Sequence, residues 1–260
     1  MKLGVNIDHI AVLREARQIN DPNPLDALGI VKRAGADQIT IHLREDRRHI
    51  QDTDAHSIIY LSTLPVNLEC SIATEMIRIA CELRPHRVTL VPEKREEVTT
   101  EGGLDLVSNN IRLKQAIDRL HKFEIEVSLF IDPTLKNLEI SRDLGVEWIE
   151  FHTGKYANIY AMLNANLSNT HHHIKELELP RKELTTMLEW EIKNLKILSS
   201  DAIDKGIRVA AGHGLNYENV KAIVGIEDIE ELNIGQSIIA RSIFTGLEQA
   251  VLDLKALLIR

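Results

Sequence analysis

The sequence predicts an α/β protein and, within that class, a (β/α)8 TIM barrel with additional helices. Short apolar runs alternate along the 260 residues with longer segments whose apolar residues recur at helical spacing. The runs number eight, and almost every one ends in a polar residue. This distribution favours a barrel, because a doubly wound open sheet, the competing architecture, would concentrate polar residues near one switch point.

The predicted strands and helices alternate along the whole chain. The strands cover residues 3–7, 38–42, 66–69, 87–91, 126–131, 148–152, 207–211 and 231–234. The helical pattern covers residues 24–34, 54–63, 74–83, 104–122, 135–144, 184–205, 217–224 and 237–258. Neither a linker nor a shift in composition divides the chain, and α/β barrels commonly reach this length as one unit. We therefore expect residues 1–260 to form a single domain.

Two stretches stand apart from this alternation. Residues 92–103 are densely charged and end in a glycine pair that could act as the hinge of a lid over the barrel mouth, with a solvated surface loop as the alternative. Residues 155–180, after the sixth strand, form an unusually long polar connection. They contain three adjacent histidines at 171–173, but adjacent residues do not all face one point, so a metal site is the less favoured interpretation.

Composition argues against several classes of protein. The formal net charge of −8 is unsuited to general nucleic-acid binding, which requires a basic face. No window approaches the roughly 18 apolar residues of a membrane span, and the N-terminus lacks the features of a signal peptide. Cys70 and Cys81 lack the paired spacing of a zinc or redox site. We expect a cytoplasmic protein with no structural disulfide.

Two turns near the C-terminus predict a phosphate site. Gly212-His213-Gly214 follows the seventh strand, and Gly235-Gln236 follows the eighth. Backbone N–H groups at a helix N-terminus attract an anion, and glycine lets the ligand approach the main chain. A histidine between two glycines adds a group able to exchange protons near neutral pH. Two ordinary strand-to-helix turns are the alternative.

A second anion site is predicted after the second strand. The segment from His42 to His49 contains three arginines and two histidines, which can neutralise a phosphate or activate a carbonyl group. Arg44 or Arg17 could bind phosphate oxygens bidentately. Surface ion pairing is the alternative, and it suits the other two arginines of the segment better than Arg44.

Two glutamates in apolar strands are candidates for acid–base chemistry. Glu69 and Glu150 each end or interrupt a hydrophobic run, where burial would raise the pKa of a carboxyl group and suit it to proton transfer. A carboxylate held in a structural hydrogen bond is the alternative for each. No helical His-Glu-x-x-His motif occurs, so we expect catalysis without a metal.

Eight contiguous motifs extend these observations along the chain. They are GVNIDH at 4–9, IHLREDRRHI at 41–50, LVPEKR at 90–95, EVTTEGGLD at 97–105, VSLFID at 127–132, HTG at 152–154, AGHGL at 211–215 and LNIG at 232–235. Together they resemble the pyridoxine 5′-phosphate synthase family, which closes the pyridoxine ring in the deoxyxylulose-5-phosphate-dependent route to vitamin B6.

The resemblance implies a (β/α)8 barrel whose extra helices serve assembly, and a homo-octamer built from dimers. It implies that the substrates are phosphorylated small molecules. These are 1-deoxy-D-xylulose 5-phosphate and 3-amino-2-oxopropyl phosphate, which condense to pyridoxine 5′-phosphate, inorganic phosphate and water. It implies no metal and no organic cofactor.

The resemblance also implies a role for individual residues. His42 and Glu69 match the proton acceptors, His213 the proton donor and Glu150 the carboxylate that stabilises the transition state. The aminoketone phosphate would be bound by Asn6, Arg17, Gly214, Gly235 and Gln236. The deoxyxylulose phosphate would be bound by Asp8, His9, Arg44, His49 and Thr99 or its neighbour Thr100.

The sequence departs from the family pattern in two places. Gln236 stands where many members have a histidine, a change of little consequence if the backbone N–H makes the contact. The stretch 155–180 is longer than in the shorter members. Two other functions stay open from the residues alone: another phosphosugar barrel enzyme, such as an epimerase or isomerase, and a phosphate-binding barrel without turnover.

Overall fold

A closed barrel of eight parallel strands forms the centre of the protein. The computed structural model describes residues 1–93 and 102–260. Each strand pairs with the next along the chain, and the last pairs with the first. The strands are β1 (Lys2–Asn6), β2 (Gln38–His42), β3 (Val66–Cys70), β4 (Arg87–Leu90), β5 (Glu126–Ile131), β6 (Trp148–His152), β7 (Arg208–Gly212) and β8 (Glu231–Ile234). The predicted TIM barrel is confirmed, and the open sheet is rejected.

Helices follow the strands in the described parts of the chain. They are α1 (Asp8–Glu15), α2 (Ala27–Arg33), α3 (Asp52–Leu61), α4 (Thr74–Leu83), α5 (Asn110–His121), α6 (Leu135–Leu144), α7 (Gly154–Asn164), α8 (Arg181–Asp204), α9 (Val220–Val224), α10 (Gln236–Thr245) and α11 (Leu247–Leu257). None of these described helices is both long and apolar enough to cross a membrane.

Two helices were missed by the sequence prediction, and one predicted helix is in fact two. Helix α1 was missed, because it has only 8 residues and begins at polar residues that mark the end of the first strand. The stretch 155–180 is not irregular throughout: α7 occupies its first part and buries Tyr156, Ile159 and Met162 at helical spacing. The predicted helix 237–258 is two helices, because Gly246, with φ 78°, ends α10 and precedes α11.

The alternation of residues along each strand separates two buried regions. Ile39 and Ile41 of β2 belong to the apolar core between the barrel and its helices. The intervening residues Gln38 and Thr40 are buried but polar, and their side chains bond to residues of β8 across the barrel interior. The period of two along a strand therefore produces an apolar outer layer and a polar interior.

A buried ion pair lies at the amino-terminal end of this interior. Glu231 accepts two hydrogen bonds from Arg87, at 2.9 Å and 3.3 Å, and one from Gln38 at 3.0 Å. Arg87 is 3% exposed and Glu231 2%. The guanidinium groups of Arg87 and Arg208 lie 3.8 Å and 3.9 Å from the Trp148 ring centre, which adds cation–π attraction.

Replacing Arg87 by methionine should therefore destabilise the barrel. We expect Arg87→Met to lower the free energy of unfolding by about 3–5 kcal/mol, because Glu231 would stay buried without its cation. Equilibrium urea unfolding measures this, and the double variant Arg87→Met/Glu231→Leu should recover much of the loss. The control is Arg78→Met, which breaks an exposed ion pair with Glu82 and should cost less than about 1 kcal/mol. Equal losses for both single variants would contradict the prediction.

Candidate active site

A cavity of about 470 Å³ opens at the carboxyl ends of the strands. Loops after parallel barrel strands converge there, which is where TIM-barrel enzymes place their chemistry. Most of the predicted site residues line it: Asn6, Asp8, His9, His42, Arg44, His49, Glu69, Glu150, His213, Gly214, Gly235 and Gln236. Side chains and turns that are distant in the sequence thus lie together at one end of the barrel.

One predicted residue, Arg17, does not line the cavity, and another, Thr99, lies outside the described residues. Arg17 is exposed beyond the end of α1, and it is not among the residues that line the cavity. The neighbouring Arg14 is buried instead, in a bidentate pair with Asp54 at 2.9 Å and 2.7 Å that joins α1 to α3. Thr99, its alternative at position 100 and most of the predicted lid lie in residues 94–101, outside the described residues.

His42 lies between two carboxylates at the end of β2. Its Nε2 is 3.2 Å from Glu93 Oε1, and its Nδ1 is 3.9 Å from Glu69 Oε2. Arg44 approaches the other oxygen of Glu93 at 3.8 Å. Burial alone would raise the pKa of Glu93, but the hydrogen bond to His42 and the nearby positive charges hold it below its usual range.

Glu93 is a site residue that the sequence reasoning did not assign. It belongs to the charged stretch after β4, which was interpreted as a lid or a solvated loop. The motif LVPEKR contained the signal, because Glu93 comes only three positions after the strand end at Leu90. Its contact with His42 depends on the pairing of distant strands and could not be derived from spacing.

Glu69 and Glu150 have raised pKa values for related reasons. Burial, together with the carboxylates of Glu150 and Asp8, raises the pKa of Glu69 well above its usual value, while Arg44 opposes the shift. Burial likewise raises the pKa of Glu150 to about 7, against the effect of a 2.7 Å hydrogen bond from Asn233. Glu150 is therefore suited to exchanging a proton near neutral pH, and Glu69 holds its proton more tightly than an ordinary glutamate.

His49 is held in its neutral form. Burial, with smaller contributions from the positive charges of His42, Arg44 and His9, lowers the pKa of His49 to about 3. Its Nδ1 accepts a hydrogen bond from the backbone N–H of Ile50 at 2.8 Å. The proton of the neutral ring is consequently on Nε2, which makes His49 a hydrogen-bond donor to a ligand rather than a cation.

His213 is presented by a turn between β7 and the following segment. It has a positive φ of 77°, and the hydroxyl of Thr153 lies 2.7 Å from its carbonyl oxygen. The ring of His152 packs edge-on against it, with 4.9 Å between ring centres. His152 Nδ1 is in turn 3.1 Å from Asp132 Oδ1, so a carboxylate, an imidazole and His213 form a row along the cavity rim.

Asp132 and His152 were recognised only as polar strand ends, with no assigned role. Asp132 also accepts a hydrogen bond from the backbone N–H of Gly103 at 2.9 Å. The hydrogen bond with His152 lowers the pKa of Asp132, although burial opposes this shift. These contacts join the end of the charged stretch to the rim beside His213.

The turns after β7 and β8 leave main chain exposed to the cavity. Gly214 has a φ of 79°, a region that glycine adopts readily. Gly235 packs so closely on β1 that a Cβ atom there would lie 2.8 Å from the Cβ of Asn6. Helix α10 begins at the next residue, Gln236, so its N-terminus is directed at the cavity. This arrangement is suited to a phosphate group.

Comparison with known proteins agrees with this geometry. A family model described as pyridoxal phosphate biosynthesis protein PdxJ matches residues 3–260. The pyridoxine 5′-phosphate synthase of Sulfurovum sp. is 70% identical over 258 residues, which are 99% of this chain and 100% of the relative. That of Aliarcobacter butzleri is 66% identical over 258 residues, with 99% of each chain covered. The resemblance seen in the sequence motifs is confirmed.

Solved structures with low sequence identity share the fold. N-(5′-phosphoribosyl)anthranilate isomerase from Pyrococcus furiosus has a TM-score of 0.56 at 15% identity, covering 99% of this chain and 98% of that one. A thiamine phosphate pyrophosphorylase from the same organism has a TM-score of 0.57 at 10% identity, covering 99% and 95%. At such identities the likeness extends to the fold alone.

The neutral state of His49 can be tested by histidine-selective NMR. An unperturbed histidine takes up a proton near pH 6.5, whereas His49 in the folded protein does so at about pH 3. As pH falls, His49 of the unfolded chain binds a proton at a higher pH than His49 of the folded protein does. The contribution of His49 to the free energy of unfolding is therefore complete above about pH 6.5 and declines as pH falls towards 3. We expect the His49 ring shifts to stay constant from pH 8 to about 5. A full titration step in that window, absent in His49→Gln, would refute the assignment.

Proposed function

The chain belongs to the family of the pyridoxal phosphate biosynthesis protein PdxJ, and we propose that it condenses 1-deoxy-D-xylulose 5-phosphate with 3-amino-2-oxopropyl phosphate. The products are pyridoxine 5′-phosphate, inorganic phosphate and water. Family membership makes the chain an enzyme of pyridoxine 5′-phosphate synthesis. The observation that carries the proposed reaction is one cavity whose wall combines several acid–base groups with an arginine-bearing region and a pair of glycine turns, both suited to anions.

The reaction needs proton transfer at nearly every step. Forming an imine, deprotonating carbon beside a carbonyl or imine, expelling phosphate and losing water until the ring is aromatic all move protons. In our proposal His42 and Glu69 accept protons, His213 donates one, and Glu150 stabilises positive charge in the transition state. The support is their shared position on the cavity wall and, for Glu69, the raised pKa that makes its carboxylate a stronger base.

Two anionic substrates need two binding regions of different character. For the deoxyxylulose phosphate we propose Arg44 and the neutral donor His49, with Asp8, His9 and Thr99 completing the contacts. For the aminoketone phosphate we propose backbone N–H groups at Gly214, Gly235 and Gln236, together with Asn6. Arg17 stays in this set as a prediction from family resemblance, and it would have to move from its exposed position to reach the cavity.

Assembly and location are also proposals. Side chains of α8 and α10 expose apolar surface, most of all Phe244, which is 88% exposed, with Ile243, Trp190 and Ile197. A homo-octamer built from dimers would cover such surface, and sedimentation velocity measures the assembly directly. A monomer at micromolar concentration would contradict it. The cytoplasmic location stays a prediction.

The proposed reaction is tested by incubating the purified protein with both substrates. We expect pyridoxine 5′-phosphate, followed by its absorbance, and inorganic phosphate to appear together. Glu69→Gln should slow turnover by about 10²–10⁴-fold, because it removes an acid–base group, while the protein stays folded. The matched control is Glu75→Gln, an exposed side chain of α4. Release of neither product by the unmutated protein would overturn the proposal, and an isomerised single substrate would favour the epimerase or isomerase.

Arg44 and Arg47 form a matched pair for the anion site. Arg44 lines the cavity, whereas Arg47 pairs with Asp52 at 3.0 Å outside it. We expect Arg44→Ala to raise the KM for 1-deoxy-D-xylulose 5-phosphate at least about tenfold, because a charge-assisted contact is lost. Arg47→Ala should leave that KM within about twofold. Initial rates at saturating aminoketone measure both, and equal effects would remove Arg44 from the site.

A further inference from the structure

Asn233 of β8 lies against Glu150 inside the barrel, and none of the roles proposed above uses it. Its Nδ2 donates a hydrogen bond to Glu150 Oε2 at 2.7 Å. Asn233 is 6% exposed and Glu150 3%, so water competes little for this bond. A short bond from a buried amide to a carboxylate is among the stronger hydrogen bonds in a protein.

The orientation of the Asn233 amide is determined from its other side. Its Oδ1 accepts hydrogen bonds from the hydroxyl of Thr40 at 3.2 Å and from the amide of Gln38 at 3.4 Å. An amide oxygen can only accept and an ionised carboxylate can only accept, so the NH₂ group must face Glu150. The donors Thr40 and Gln38 of β2 therefore select the side-chain orientation in which the NH₂ group of Asn233 donates to Glu150.

The floor of the barrel fixes this arrangement further. The Gln38 amide that contacts Asn233 also donates to Glu231 Oε1 at 3.0 Å, and Glu231 is bonded twice by Arg87. Buried side chains thus connect the ion pair at one end of the barrel to Glu150 at the cavity. Each member is held by the next, which restricts the motion of the carboxylate.

Two glycines make room for the pair. A Cβ atom at Gly4 of β1 would collide with Asn233 Oδ1, and one at Gly212 of β7 would collide with Glu150 Oε1. Strand β1 pairs with β8, which carries Asn233, and β7 pairs with β6, which carries Glu150. The space for Asn233 and Glu150 therefore depends on the absence of side chains at these two positions.

We infer that Asn233 is a positioning residue for the reaction: it holds one oxygen of the Glu150 carboxylate and leaves the other to the substrate, and Thr40 and Gln38 set its orientation. This inference rests on the proposed function, because it acts through the role given there to Glu150. Asn233 touches no reacting atom in this scheme, and its effect is on the direction and charge of Glu150.

The electrostatics of Glu150 agree with that role. Burial raises the pKa of Glu150 to about 7, and the hydrogen bond from Asn233 opposes the rise. Without the donor the pKa would be higher still, so the ionised form would become rare at neutral pH. Among the described residues, the charged or titratable groups that act on this carboxylate or share its cavity include Glu69 on β3, Arg87 on β4, Glu231 on β8 and the histidines His42, His152 and His213.

The test compares two buried threonines of the barrel interior. Thr40→Val removes a donor to Asn233, whereas Thr89→Val removes a hydroxyl that bonds to Asn67 at 2.8 Å. Both threonines are fully buried, so the loss of a buried hydroxyl is matched. Asn233→Leu removes the donor to Glu150, and Asn233→Asp keeps its shape but replaces the donor by an acceptor.

The main readout is the pH dependence of kcat with both substrates saturating. Loss of the Asn233 donor raises the pKa of Glu150. Because the reaction needs the ionised form of Glu150, kcat should begin to fall at a higher pH as the solution is acidified. We expect Asn233→Leu to move the acidic limb upward by about one to two pH units, the size of a hydrogen bond to a charged group. Asn233→Asp should move it at least as far, Thr40→Val less, and Thr89→Val not at all. Both KM values should stay within about threefold.

A structural role alone would give a different result. In that case the Asn233 and Thr40 variants would lower the melting temperature and leave the pH profile of kcat unchanged, which would overturn the inference. If Asn233→Leu does not fold, Asn233→Asp and Thr40→Val decide the question. An equal shift in Thr40→Val and Thr89→Val would also count against it.

A second measurement separates this inference from the proposed reaction. With glutamate carbon-13 labelled at the side-chain carboxyl, the Glu150 signal can be assigned by its loss in Glu150→Gln and titrated without turnover. Thr40→Val should raise its midpoint, and Thr89→Val should leave it unchanged. If the unmutated protein makes no pyridoxine 5′-phosphate but this difference is seen, the reaction is wrong and the positioning stands. If the unmutated protein is active but the titration midpoint of Glu150 is the same in Thr40→Val and Asn233→Asp as in the unmutated protein, the positioning role of Asn233 is refuted.

Discussion

The buried ion pair between Arg87 and Glu231 is the interaction on which the interior of the barrel depends. When eight strands close into a barrel, every second side chain along each strand points into the barrel interior. In this chain many of those inward side chains are polar. Such groups are tolerated in a low-dielectric interior only when each has a partner. In the Arg87–Glu231 pair the two charges compensate each other, and the pair is the first link of a hydrogen-bond network. Gln38 bonds to Glu231 and to Asn233, and Asn233 bonds to Glu150 at the cavity. The site is therefore the upper end of a network that begins at the opposite end of the barrel.

The same low dielectric makes the carboxyl groups of the site chemically different from one another. Glu69 and Glu150 are buried near other carboxylates, so their pKa values rise. Glu93 bonds to His42 and lies near Arg44, so its pKa falls despite burial. Similar side chains of one site thus differ in how readily they release a proton at a given pH. A reaction that must both take up and release protons in one pocket needs that division.

The two anion regions that we propose differ in their physical means. After β2 the attraction would come from side chains, with the charge of Arg44 and the donor of a neutral His49. After β7 and β8 it would come from main chain, at two glycine turns and the N-terminus of α10. A backbone site tolerates a change of side chain, which is why glutamine at position 236 is compatible with the proposed cradle. Its exposed side chain leaves the N–H group in place.

The sequence by itself determined the eight strands, the barrel and most residues of the cavity wall. These features follow from local periodicity and from the rule that parallel strands deliver their carboxyl ends to one face, so no distance was needed to find them. The tertiary structure alone decided that Glu93 meets His42, that Asn233 donates a hydrogen bond to Glu150, and that Arg17 lies outside the cavity. It also decided that α7 is a helix, since its apolar face is short and recognisable only once packed. The physical reason is that partners across a barrel are set by register and closure, which join residues 193 and 195 positions apart, whereas periodicity reports only on neighbours along the chain.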